Sequence, residues 1–98
     1  MGDKLSFFCE FDDLGPSRIS YEVAGPPLER ASVRIEDQHP VLYVNKGACR
    51  VLAEIFAKLA MGSYRDGFHI HLAEDFDPDQ QEMLRIVLTD EDKPTQHR

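Results

Sequence analysis

Ninety-eight residues set the size of one small domain with room for little more than a single core layer. A hydrophobic fraction of 42% suffices for a globular fold, and six prolines with six glycines point to frequent turns. The net charge of −7 argues against a nucleic-acid or anionic-membrane surface, since both need a basic footprint.

Met1-Gly2-Asp3-Lys4 leads into a short mixed pattern in which no signal peptide is visible, so none is expected. No apolar run approaches the ~20 residues that cross a bilayer. Residues 5–11 alternate Phe7, Cys9 and Phe11 against Ser6, Phe8 and Glu10, which predicts a strand. Asp12 to Pro16 supplies turn chemistry. A second strand is expected over 18–24, with Ile19, Tyr21 and Val23 on one face, and Gly25-Pro26-Pro27 ends it. Ala31, Val33 and Ile35 mark a third strand and residues 41–44 a fourth, with residues 36–40 between them at hairpin-loop length.

Asn45 is a good N-cap, and Ala48, Val51, Leu52, Ile55, Phe56 and Leu59 then recur at helical spacing. Arg50, Glu54 and Lys58 fall on the wet face, and Gly62 supplies the stop. Phe56 is expected in the helix–sheet core. Residues 67–72 read as a fifth strand and residues 83–89 as a sixth, joined by a polar stretch, 73–82, that contains Pro78. The expected fold is α+β: a mostly antiparallel sheet of about five or six strands with one long amphipathic helix on one face. It occupies residues 1–89 as a single domain, with 90–98 a frayed tail.

The expected core face carries Phe7, Ile19, Tyr21, Val33, Ile35, Phe68, Ile70, Leu72, Leu84, Ile86 and Leu88. One helix leaves the opposite face open. Period-two alternation places His69 and His71 side by side there, with Arg34, Arg85, Tyr43 and Phe8. That polar, ring-rich face is the candidate functional surface. Two imidazoles on it can form a metal-ligand pair, a proton-transfer pair or part of a protein-binding surface. A metal site would need a further ligand beside His69 and His71, for which His39, Asp75 and Asp77 are the candidates. Asp75, Asp77 and Asp79 alternate like the start of a calcium loop. Gln80 stands where its glycine belongs and Ile86 where its glutamate belongs, so a solvated acidic loop, including Glu74, is the better reading. No serine, cysteine or glycine-rich loop has catalytic context, and no cofactor is implied. Cys9 and Cys49 show no pairing pattern and read as small buried hydrophobes, which suits a reducing cytoplasm.

At Leu42-Tyr43-Val44-Asn45-Lys46-Gly47, through Leu52-Ala53 and Leu59-Ala60, to Gly67-Phe68-His69-Ile70-His71-Leu72, the chain resembles a small bacterial family. That family is the immunity proteins numbered thirty-two in polymorphic toxin systems. The G-F-H-x-H-L element behind a capped helix carries the resemblance most specifically, and the first forty residues carry none of it. The resemblance implies a cytoplasmic, non-catalytic protein that binds and neutralises a cognate toxin. The acidic charge favours a basic partner, and a monomer or weak dimer is expected, with neither nucleic acid nor membrane bound. A small metal-binding enzyme or sensor on His69 and His71 is the alternative. Self-association through a free edge strand such as residues 5–11 is a further one.

Overall fold

The helix begins where one side chain can satisfy several backbone groups at once. Asn45 Oδ1 accepts from the N–H of Ala48 at 2.9 Å, capping the first turn, and from the N–H of Arg30 at 3.0 Å. Its Nδ2 donates to the carbonyls of Pro27 and Leu28 at 3.2 and 3.3 Å. Both acceptor and both donor positions of the amide are thereby used. The same residue caps the helix and docks the preceding loop onto it. Gly47 permits that docking, because a Cβ there would lie 2.0 Å from the Leu28 carbonyl oxygen. At the far end Gly62 donates its N–H to the Lys58 carbonyl at 2.8 Å. Its φ is −79°, so it ends the helix without a left-handed turn. A side chain there is excluded by the Tyr64 ring, 2.7 Å from where a Cβ would stand.

The structure is a computed structural model that describes residues 2–73 and 75–89. Its elements in chain order are β1 (Ala31–Glu36), β2 (His39–Val44), α1 (Lys46–Met61), β3 (His69–Ala73) and β4 (Glu82–Val87). Among the described residues the architecture is α+β, with one helix and two antiparallel sheets of two strands each, β1–β2 and β3–β4. That replaces the expected single sheet of five or six strands. The expected tail, 90–98, and Glu74 lie outside the described residues. Among the described residues no helix is long and apolar enough to cross a membrane.

The missing strands are residues 5–11 and 18–24, neither of which joins a ladder. Alternation determines which side chains share a face, but a strand also needs a neighbouring backbone to bond. Ile19, Tyr21 and Val23 do turn onto the core. Their segment is held by side chains instead of a ladder: Lys58 Nζ donates to the Ser20 carbonyl, and the Tyr64 hydroxyl to the Arg18 carbonyl. Phe7 lies outside the core and is 58% exposed.

The first hairpin closes through Asp37 and Gln38, both at positive φ (53° and 67°), with Glu36 opposite His39. Two left-handed residues make the mirror-image turn whose twist suits a two-residue hairpin. The base of this hairpin is buried at Ala31, while its tip projects and leaves Ile35 70% exposed, contrary to its expected core position. In the second hairpin Ile70 faces Ile86 and Leu72 faces Leu84, and the register then slips so that Ala73 faces Glu82.

The two hairpins are stitched together by a side chain. The N–H of Val33 donates to Gln80 Oε1 at 3.2 Å, and Gln80 Nε2 donates to the Val33 carbonyl at 3.0 Å. A primary amide offers the same donor and acceptor as a peptide group, so Gln80 stands beside β1 as a strand residue would. The N–H of Ala31 is taken by the Phe76 carbonyl at 3.4 Å.

The core gathers Ala48, Val51, Leu52, Ile55 and Leu59 from α1 with Ala31, Ile70, Leu72, Phe76 and Met83. Phe76 is among the largest fully buried side chains, although it comes from the stretch expected to be polar. Asp77 beside it is buried too, its carboxylate accepting from the N–H of Asp79 at 3.0 Å, so that stretch is not a solvated loop throughout. Phe56 is 50% exposed, so the apolar stripe of the helix stops short of it. Cys49 is exposed and Cys9 half-buried, and both are free thiols, which corrects their reading as buried hydrophobes.

Candidate functional site

Because Ile70 and Leu72 point into the core, the alternate residues of β3 face away from the helix. His69 and His71 lie there with ring centroids 5.1 Å apart in an edge-to-face arrangement. The pairing of β3 with β4 sets Val87 opposite His69 and Arg85 opposite His71. The predicted trio His69, His71 and Arg85 is therefore brought together.

Glu82 completes the group. Glu82 and Arg85 are three residues apart, which in a regular strand puts them on opposite faces. The register slip between Leu72 and Ala73 removes that parity. It buries Met83 and delivers Glu82 to the same side as Arg85. The Glu82 carboxylate then receives Arg85 Nε at 3.1 Å and Nη2 at 3.1 Å, and sits 3.0 Å from His71 Nδ1. The Arg85 guanidinium, and after it the His71 ring, hold the Glu82 carboxyl below its ordinary value of 4.5.

These contacts also set how the rings present themselves. An ionised carboxylate only accepts, so His71 Nδ1 carries the hydrogen toward Glu82. His69 Nδ1 is 3.2 Å from the Gly67 carbonyl oxygen, which likewise only accepts. Nε2 of each ring has no partner among the described residues. All the side chains concerned are exposed. The result is two oriented imidazoles beside a fixed arginine–glutamate pair, a polar surface with preset donors and acceptors.

The other predicted members sit on the first hairpin and form a separate cluster. The Arg34 guanidinium lies 5.5 Å from the Tyr43 ring centroid, and the Tyr43 hydroxyl donates to the Glu36 carboxylate. That hydrogen bond is the main reason the Tyr43 phenol is raised above its ordinary 10.0. Phe8 belongs to neither cluster, since it lies in the unpaired segment 5–11. The alternative metal set of His69, His71, His39 and Asp75 is not assembled. His39 pairs with Glu36 at the hairpin tip, and no three His, Cys, Asp or Glu side chains among the described residues stand where they could share a cation.

Sequence reasoning missed Glu82 and Glu36. Glu36 was legible in principle, on the same strand face as Arg34 and two residues along. Glu82 was not, because only the register slip brings it round.

Compared with protein-family models, with curated proteins and with solved structures, the chain matches none.

Proposed function

We propose that this protein is an immunity-type inhibitor, a non-catalytic cytoplasmic module that binds a cognate bacterial toxin domain through the outer face of β3–β4. The observation that carries the reading is the His69–His71–Glu82–Arg85 cluster. Its charges and rings are exposed, yet held by one another on a hairpin whose inner face is core. An arginine already ordered by a carboxylate has less rotamer freedom to lose on binding, and preorganisation of this kind favours affinity. The G-F-H-x-H-L element on which the family resemblance rests supplies both histidines. A net charge of −7 suits a basic partner and fast, salt-sensitive association.

The test is protection. The gene should be co-expressed with any toxin-like reading frame that adjoins it, and growth should be rescued. A His71→Ala/Arg85→Ala variant should lose the rescue while still folding, with a melting temperature lowered by no more than a few degrees, as loss of an exposed ion pair implies. Absence of an adjoining toxin gene, or of rescue from every one that adjoins, rejects the proposal.

A further inference from the structure

Residues 5–11 combine three properties that do not belong together in a finished surface. Leu5 and Phe8 are 90% and 82% exposed, and Phe7 more than half. None of the backbone groups of the segment has a hydrogen-bond partner among the described residues. The sequence nevertheless alternates as a strand would, and once paired it would set Leu5, Phe7, Cys9 and Phe11 on one side and Ser6, Phe8 and Glu10 on the other. An unpaired apolar strand is a template for another strand.

We propose that this arm pairs antiparallel with the same arm of a second copy, about a two-fold axis through Phe8. A two-fold contact is self-complementary, so each residue meets the one equally far on the other side of the axis. Leu5 then faces Phe11, Phe7 faces Cys9, Ser6 faces Glu10 and Phe8 faces itself. Every pair on the first face is apolar. Just outside them Lys4 faces Asp12, and the symmetry makes that ion pair twice. Other registers lose this match: shifting the axis to Phe7 sets Phe11 against Asp3, and shifting it to Cys9 sets Leu5 against Asp13. Sequence and charge together select the axis.

An open cleft of about 340 Å³ at the root of the arm is lined by Phe8, Cys9, Phe11 and Met61 together with the carboxylates of Glu10 and Asp13. Met61 is itself largely exposed at the end of α1. The partner arm covers only part of Leu5, Phe7 and Phe8, less than the roughly 1,200 Å² of a stable interface, so the dimer is weak and reversible. β2, the outer strand of the first hairpin, suits the arm less well, because Pro40 has no N–H to offer a ladder. The dimer does not depend on the toxin-binding reading, which uses other residues.

Sedimentation velocity of the full chain between about 5 and 200 µM should show a monomer–dimer equilibrium. Phe8→Asp, which sets two carboxylates against each other at the axis, should weaken it more than roughly tenfold. Lys4→Glu should weaken it roughly three- to tenfold, and adding Asp12→Lys should restore it. Far-UV spectra and melts of all variants should match the wild type at concentrations where the wild type is monomeric, because the substituted side chains are exposed. A wild-type chain monomeric at about 200 µM overturns the proposal. So does a dimer indifferent to Phe8→Asp, or a double charge swap no better than Lys4→Glu alone.

Discussion

Replacing Gln80 should loosen the join between the two hairpins. Its amide makes both bonds to Val33, at 3.2 and 3.0 Å, in a half-buried position. Neutral hydrogen bonds contribute about 0.5–1.5 kcal/mol each, so losing two costs about 1–3 kcal/mol. Water can reach the stranded Val33 groups at a half-buried site, which places Gln80→Ala near the lower half of that range, about 1.5 kcal/mol. Gln80→Glu is the sharper perturbation. Its carboxylate still accepts from the Val33 N–H, but a second anionic oxygen replaces the NH2 and faces the Val33 carbonyl. Gln80→Glu should therefore be less stable than Gln80→Ala at neutral pH. Protonation restores a donor, so the folded state should raise the new carboxyl's pKa. A raised acid contributes stability that grows as pH falls, and the gap to wild type should narrow toward pH 4. Urea denaturation of the three proteins at pH 7 and near pH 4.5 measures both effects. An alanine variant within about 0.5 kcal/mol of wild type, or a glutamate variant whose deficit ignores pH, would refute the stitching role.

Ile55→Ala should cost about 2–5 kcal/mol because Ile55 is fully buried, whereas half-exposed Phe56→Ala should cost about 1–2 kcal/mol by denaturant titration. The reverse order would mean that the apolar stripe of α1 is phased toward Phe56. Gly47→Ala, which helix propensity alone would make stabilising by about 1 kcal/mol, should instead lower the melting temperature, since its Cβ meets the Leu28 carbonyl. On the acid side, Glu82→Gln isolates one titration. Because the Glu82 carboxyl is depressed in the folded state, its contribution is complete above the ordinary 4.5 and lost as pH falls through the lowered value. Denaturation curves of wild type and Glu82→Gln should differ at neutral pH and converge in strong acid; a constant difference would contradict the contact.

The helix was almost fully legible because its signals are local. The Asn45 cap and the Val51–Ile55–Leu59 spacing all lie within one turn or two of what they control. β1 to β4 were legible to within a few residues for the same reason. What could not be read is pairing between distant segments. Alternation in 5–11 and 18–24 is as regular as in β1, yet only β1 has a hairpin partner, and nothing local distinguishes them. Phe76 was overlooked because its neighbours Asp75, Asp77 and Pro78 are polar, although one large aromatic in a short connection can seal a core. Of the site, His69, His71 and Arg85 followed from period two. Glu82 required a register slip that no turn residue announces, and the separation of Arg34 and Tyr43 required knowing that one sheet was in fact two.

The outer face of β3–β4 is tested most directly by titrating the proposed partner, any toxin-like domain found encoded beside this gene, with wild type and with His71→Ala at fixed salt. The imidazole of an exposed side chain carries little folding energy, so the variant should melt with the wild type. Its Kd should nevertheless rise roughly tenfold or more, as loss of a central polar contact does. An unchanged Kd, or a variant that fails to fold, would contradict a binding role for this face.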